Sequence, residues 1–186
     1  LAVGFGQKTG IELSGEVSGI MPTPEWKRRV LGQPWWKGET ISVAIGQGML
    51  QITPLQATEL MAMVSTGARY KPHLVREIRD SAPDQNGAVI YQPQPELVAN
   101  LDMKPEHLAL VRDALDGVVE EGTGRKAKND AFPVSGKTGT AQVVQLELGK
   151  GKVVPEKYRD HNWFACYVSN GQEPVLAMTV FLQNGG

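Results

Sequence analysis

The 186 residues predict an α+β fold, an antiparallel sheet flanked by helices. Three runs rich in β-branched and aromatic residues follow one another at residues 133–144, 161–169 and 174–182, and Asn170-Gly171 between the last two is a hairpin turn signal. Two stretches with apolar residues at helical spacing, residues 53–67 and 104–121, come earlier in the chain. Helices gathered ahead of consecutive hairpin strands, rather than alternating with them, place the sheet in the antiparallel class.

In chain order, residues 1–40 are rich in glycine, proline and tryptophan and predict an ordered loop, punctuated by Gly4, Gly6, Gly10, Gly15, Gly19 and Pro22. Residues 24–32 are the exception. Thr23 supplies an N-cap, Pro24 suits the first helical position and Gly32 ends the helix. Trp35 and Trp36 are read as anchors that fasten the loop to the core.

Residues 41–48 lead into a second helix, where Thr53 caps, Pro54 opens the first turn, and Leu55, Thr58, Met61 and Ala62 mark a buried face. Residues 71–80 and 88–91 predict a small exposed hairpin across 83–87. In the helix from Lys104, Leu108, Val111, Ala114, Leu115 and Val118 mark one face, and Glu106 favours the N-terminal end. Gly122-Thr123-Gly124 terminates it. Arg125, Lys126 and Lys128 follow as a solvated basic loop, and residues 147–160 as a long hairpin connection.

Composition sets limits. A hydrophobic content of 41% over this length supports one domain with a substantial core, and a formal net charge of -1 gives no electrostatic case for nucleic acid. No apolar run reaches the roughly 18 residues that span a bilayer. The single cysteine, Cys166, excludes an internal disulfide and reads as a small buried hydrophobe. His73 has no second ligand at metal spacing, so neither a metal site nor a cofactor is predicted.

The chemistry concentrates in the first of the three strands. Val134, Val143 and Val144 suit a pleated, half-buried environment, whereas Gly136 and Gly139 mark positions where another backbone or a ligand approaches closely. Thr138 and Thr140 are two apart and project to one side, with Lys137 between them on the other. Two hydroxyls and an ammonium along one strand edge suit an anionic ligand such as a carboxylate.

Two motifs compete for these residues. Residues 131–138 fit a relaxed phosphate-loop pattern, with Ala131 in place of the first glycine. That motif needs a buried strand before it and a helix opening at Lys137-Thr138. Pro133 sits inside the supposed loop, a polar run precedes it, and no helical periodicity follows Gly139. The alternative is the Lys-Thr-Gly element of penicillin-binding proteins and serine β-lactamases, at Lys137-Thr138-Gly139.

Ser135-Gly136 before that element and Thr140-Ala141-Gln142 after it extend the match, and the longer string resembles the penicillin-binding proteins. Gly4-Phe5-Gly6-Gln7-Lys8-Thr9-Gly10, Trp36-Lys37-Gly38-Glu39-Thr40, Ile45-Gly46-Gln47-Gly48 and Thr53-Pro54-Leu55-Gln56 resemble the class B type, nearest its cell-elongation members. The resemblance runs from about Gly4 to the end.

It implies part of a β-lactamase/transpeptidase-like fold, with a five-stranded sheet between helical groups and the Lys-Thr-Gly strand lining a cleft. The implied reaction is acyl transfer on peptidoglycan stem peptides ending in D-Ala-D-Ala: a serine attacks the penultimate carbonyl, D-Ala leaves, and an amine of a neighbouring strand accepts the acyl group. Lys137 would relay protons and supply charge, and Thr138 and Thr140 would hold the substrate carboxylate. The Thr140 N–H would complete the oxyanion hole, a contact typically worth about 3 kcal/mol in the transition state. Gly139 would keep the edge open for a peptide to lie alongside. β-Lactams would enter as substrate mimics. The resemblance also implies elongation-machinery membrane proteins as partners, and a place on the periplasmic face of the bacterial inner membrane.

The family chemistry needs three motifs, and only one is present. No serine has a lysine three residues on, and none has Asn or Asp two residues on. With Leu1 first and family-like sequence from the start, residues 1–186 are expected to be the incomplete C-terminal portion of a transpeptidase domain. The nucleophile and the membrane anchor are expected outside it, and the rest of the domain is then a partner of this chain. A β-lactam-sensing receptor domain, a serine β-lactamase fragment and a catalytically silent scaffold are the alternatives.

Overall fold

A computed structural model describes residues 3–81, 87–143, 155–171 and 173–185. The chain opens in loop held by side chains: Glu16 Oε1 accepts from the Thr9 N–H at 2.7 Å and from the Thr9 hydroxyl at 2.6 Å. Helix α1 (Pro24–Leu31) starts where Thr23 Oγ1 accepts the Trp26 N–H at 3.0 Å, and it ends at Gly32 with φ 66°. Both ends are as the sequence predicts.

The next element corrects the sequence reading, because residues 37–40 are not loop but the start of α2 (Lys37–Ala44). Its stabilising contacts are carboxylate contacts. Glu39 accepts the Trp36 N–H at 2.7 Å and pairs with Lys27 of α1 at 2.5 Å. Lys27 is only 3% exposed, so this ion pair pins the two helices together. Trp36 is not an anchor: it is 64% exposed, while Trp35 is half-buried and donates its indole N–H to Thr40 Oγ1 at 2.9 Å.

α3 (Pro54–Thr66) begins at Thr53, whose hydroxyl accepts the Gln56 N–H while Gln56 Oε1 accepts the Thr53 N–H, a reciprocal capping box. Its buried residues are Gln56, Ala57, Glu59, Met61, Met63 and Val64; of the predicted stripe Met61 is buried, while Leu55, Thr58 and Ala62 are only half-buried. The helix is covered on two sides. One side packs on the sheet, and the other meets the N-terminal loop, where Gln56 Nε2 donates to Gln7 O and Ser18 O.

β1 (Ala68–Tyr70) follows, then the short exposed hairpin of β2 (Ile78–Arg79) and β3 (Val89–Tyr91), antiparallel as expected. Most of its predicted turn, residues 83–86, lies outside the described residues. β4 (Leu97–Asn100) returns to pair with β1, a ribbon with a bulge that the sequence did not announce.

α4 (Pro105–Glu120) buries Leu115 and Val119 and half-buries Leu108, Arg112 and Val118. Val111 and Ala114 of the predicted face are exposed, because Arg112 takes the inward position instead. Its guanidinium donates to Val64 O at 2.9 Å and Ser65 O at 2.8 Å, satisfying carbonyls that the end of α3 leaves without intrahelical partners.

After α4 a 3-10 turn at Arg125–Ala127 leads to β5 (Val134–Ala141), which pairs with β6 (His161–Asn170), which pairs with β7 (Glu173–Leu182). The order β5-β6-β7 is the predicted antiparallel sheet. β5 stops at Ala141, before Gln142 and Val143 of the predicted run, since β6 begins at the paired His161; Val144 lies outside the described residues. The Asn170-Gly171 turn has Gly171 at φ 63°. The predicted connection at 147–160 falls largely outside the described residues.

One sheet face meets α3 and α4 through Met61, Val64, Leu115 and Tyr167, with Leu60, Leu108, Ala165 and Ala177 around them. Cys166, 1% exposed, is the inert small hydrophobe expected, and burial pushes its thiol pKa up.

Glu59 of α3 and Arg69 of β1 are both buried, 3.7 Å apart. Desolvation raises the Glu59 pKa, and Arg69 offsets only part of that. A carboxyl whose folded pKa is raised stabilises the fold fully below the ordinary glutamate range and loses that contribution as pH rises through the folded value. Glu59→Gln should therefore flatten the fall in urea midpoint between mildly acidic and neutral pH. An unchanged slope in the complete protein would remove Glu59 as its source.

Candidate functional site

The hydrogen-bond parity of the sheet fixes what β5 offers. Ser169 N–H donates to Pro133 O at 3.0 Å. In an antiparallel ladder, bonded pairs alternate with non-bonded pairs, so Ser135, Lys137, Gly139 and Ala141 direct their backbone groups at β6. Val134, Gly136, Thr138 and Thr140 direct theirs the other way, to an edge that no strand among the described residues pairs with.

Side chains obey the same alternation. Ser135 lies toward the helices, 4% exposed, and donates its hydroxyl to Asp116 of α4 in a short bond. It is a tie between α4 and β5, buried on the face away from Thr138 and Thr140. Lys137 is exposed, and its Nζ curls over the free edge to donate to Thr138 O at 2.8 Å. Thr140 and Gly139 are exposed, and Thr138 is half-buried. Lys137-Thr138 lies inside a strand, so no helix N-terminus opens there, and the phosphate-loop reading fails on its own requirement.

Both glycines have a local reason. A Cβ at Gly136 would lie 2.8 Å from Cys166 Cβ and 2.9 Å from both Ala165 O and Phe164 Cζ, closer than real contacts allow. A Cβ at Gly139 would meet Trp163 Cβ at 3.3 Å, tight but met by a single residue.

Two residues that sequence reasoning passed over also reach β5. Thr123 Oγ1 lies 2.6 Å from Thr138 Oγ1, so the two hydroxyls share a hydrogen bond. The segment read only as a helix terminator sets this contact. Gly122 N–H bonds Gly117 O and Gly124 N–H bonds Val118 O. A Cβ at Gly122 would lie 2.9 Å from Val118 backbone, and one at Gly124 would lie 3.1 Å from Val118 Cγ1. The glycine on each side of Thr123 was the available signal. Gln47 is the second, with Nε2 donating to Thr140 O at 2.9 Å.

Among the described residues no group of three or more His, Cys, Asp or Glu is placed to hold a metal ion, and no helix is long and apolar enough to cross a membrane. Lys128 pairs with Glu120 at 2.5 Å, so the basic loop is a solvated one with an internal partner.

A three-stranded antiparallel sheet backed by helices, with a Lys-Thr-Gly-Thr edge strand, defines a transpeptidase-type fold, and comparison with known proteins agrees. The family model described as the penicillin binding protein transpeptidase domain matches residues 1–186, and the chain belongs to that family. The peptidoglycan D,D-transpeptidase MrdA of Acinetobacter baumannii is 36% identical over 186 residues, a match covering 98% of this chain and 27% of that protein. The structure of Pseudomonas aeruginosa PBP2 in complex with WCK 5153 superposes with TM-score 0.73 at 32% identity, over 99% of this chain and 38% of that one. The PBP2 from a complex with MreC of Helicobacter pylori gives 0.74 at 27% identity, over 99% and 31%. The chain thus spans under a third of the length of curated relatives such as the Acinetobacter baumannii MrdA.

The contrast between the two glycines is measurable. Gly136→Ala should destabilise the complete protein by about 1–3 kcal/mol, the usual cost of overpacking, whereas Gly139→Ala should cost clearly less. Chemical denaturation of the two variants side by side checks the order, and equal costs would contradict the close approach at Gly136.

Proposed function

We propose that this chain is the C-terminal portion of the transpeptidase domain of a serine D,D-transpeptidase, which cross-links peptidoglycan stem peptides and is acylated by β-lactams. The observation that carries the reading is the free edge of β5, where the outward amide and carbonyl groups of Thr138 and Thr140 lie beside an exposed ammonium from Lys137. An extended D-Ala-D-Ala peptide adds to such an edge as a further strand, through main-chain hydrogen bonds.

In this reading the Thr140 N–H, outward by parity, forms one half of the oxyanion hole, and the nucleophile's own N–H forms the other. Thr138 and Thr140 hydroxyls hold the terminal carboxylate, with Thr123 orienting the first of them. Lys137 relays protons between the nucleophile and the leaving group. Gly139 leaves the edge uncovered.

The nucleophilic serine, its lysine and the second serine motif belong to the rest of the protein, as does the anchor that holds it at the periplasmic face of the inner membrane. Leu176, Met178, Val180 and Leu182 of β7 alternate onto the sheet face away from the helices and are exposed. That strip is where the remainder of the domain packs. A partner in the elongation machinery follows from the H. pylori PBP2 complex with MreC.

Two experiments test the reading. In the complete protein, Lys137→Ala should leave the fold intact, by circular dichroism, and slow acylation by labelled penicillin by orders of magnitude. Acylation at the wild-type rate would remove Lys137 from the mechanism. The 186-residue chain by itself should form no covalent adduct with penicillin, because no serine in it has a lysine three residues on, and Ser135 of the motif strand is 4% exposed on the face packed against the helices. A stoichiometric adduct by mass spectrometry would move the nucleophile into this chain.

A further inference from the structure

Gln47 stands on a turn shaped to present it. α2 ends at Ala44, and Gly46 and Gly48 hold φ of 77° and 73°, left-handed geometry on either side of Gln47 that glycine adopts without strain. The turn is closed by Gly46 N–H to Val43 O at 3.0 Å and Gln47 N–H to Ser42 O at 2.8 Å. From it the carboxamide crosses to Thr140 O, 93 residues away in sequence.

That carbonyl faces the free edge of β5, so it is the acceptor an added strand would use. The preceding outward carbonyl, Thr138 O, is likewise taken by a side chain, the Lys137 ammonium. Two side-chain donors therefore occupy the edge where a peptide backbone would lie. The Gln47 bond is solvent-exposed, so a ligand N–H can exchange for it at small net cost.

We propose that Gln47 is a specificity-determining residue: its carboxamide takes the place of an added strand at the Thr140 carbonyl and is displaced by acyl donors that offer an N–H there. It therefore disfavours those donors relative to donors that offer none. The proposal rests on the transpeptidase reading above. Penicillins and stem peptides carry an amide N–H next to the reacting carbonyl. Carbapenems carry a hydroxyethyl group at the equivalent position, whose only donor is a hydroxyl one bond further from the ring, so they offer no N–H at the place where the amide N–H of a penicillin meets that acceptor.

The test uses the complete protein and the second-order acylation constant for benzylpenicillin and for a carbapenem. Gln47→Ala and Gln47→Met both remove the donor, and Met keeps the length of the side chain. Each should raise the constant for benzylpenicillin about threefold to tenfold, the worth of one exposed hydrogen bond, and leave that for the carbapenem unchanged. An unchanged or lowered constant for benzylpenicillin overturns the proposal, as does equal acceleration with both drugs. If the alanine variant does not fold, the methionine variant decides. A wild-type protein acylated by neither drug overturns the transpeptidase reading and this proposal with it, whereas normal wild-type acylation with unresponsive variants overturns the proposal alone.

Discussion

The bond from the Ser169 amide to the Pro133 carbonyl fixes which backbone groups of β5 are available. Once that pair is set, alternate residues must face β6 and the rest must face outward, because the ladder has a strict period of two. A slip of one residue would turn the Thr138 and Thr140 amides into the sheet and Lys137 and Gly139 amides out of it. The site is thus a property of register as much as of side chains. Gly136 keeps the register tight by letting Phe164 and Cys166 close over it.

α4 measures the distance between the core and this edge. Its middle is fixed by Leu115 in the core and by Asp116 on Ser135, and its end is closed by the Gly122 and Gly124 amides on Gly117 and Val118. Thr123 is delivered from that fixed end to the Thr138 hydroxyl. A side chain on a loop thereby gains the positional accuracy of a helix, which a binding hydroxyl requires.

Local signals were legible and distant ones were not. Thr23 and Thr53 announced helices because a cap acts on residues three positions away, and the Lys137 strand stood out because β-branched residues and a turn signal frame it. α2 was hidden: Gly38, Thr40, Ile41 and Val43 have weak helical preference, and part of its support comes from Lys27, twelve residues before Glu39. Nothing in the sequence marks Arg112 as an inward residue, because its partners, the Val64 and Ser65 carbonyls, belong to another helix. Gln47 and Thr123 escaped for the same reason. Each acts on β5 through a contact that exists only after the chain has folded.

The bidentate grip of Arg112 on the end of α3 has a consequence for how the molecule opens. Pulling α4 away would expose two carbonyls and a guanidinium together, and it would break the Asp116 tie to Ser135 in the same motion. Neither helix has an inexpensive way to detach alone. α3, α4 and the first half of β5 therefore form one cooperative opening unit, whose amides share a common opening free energy in hydrogen exchange, while the exposed β2–β3 hairpin exchanges independently of it.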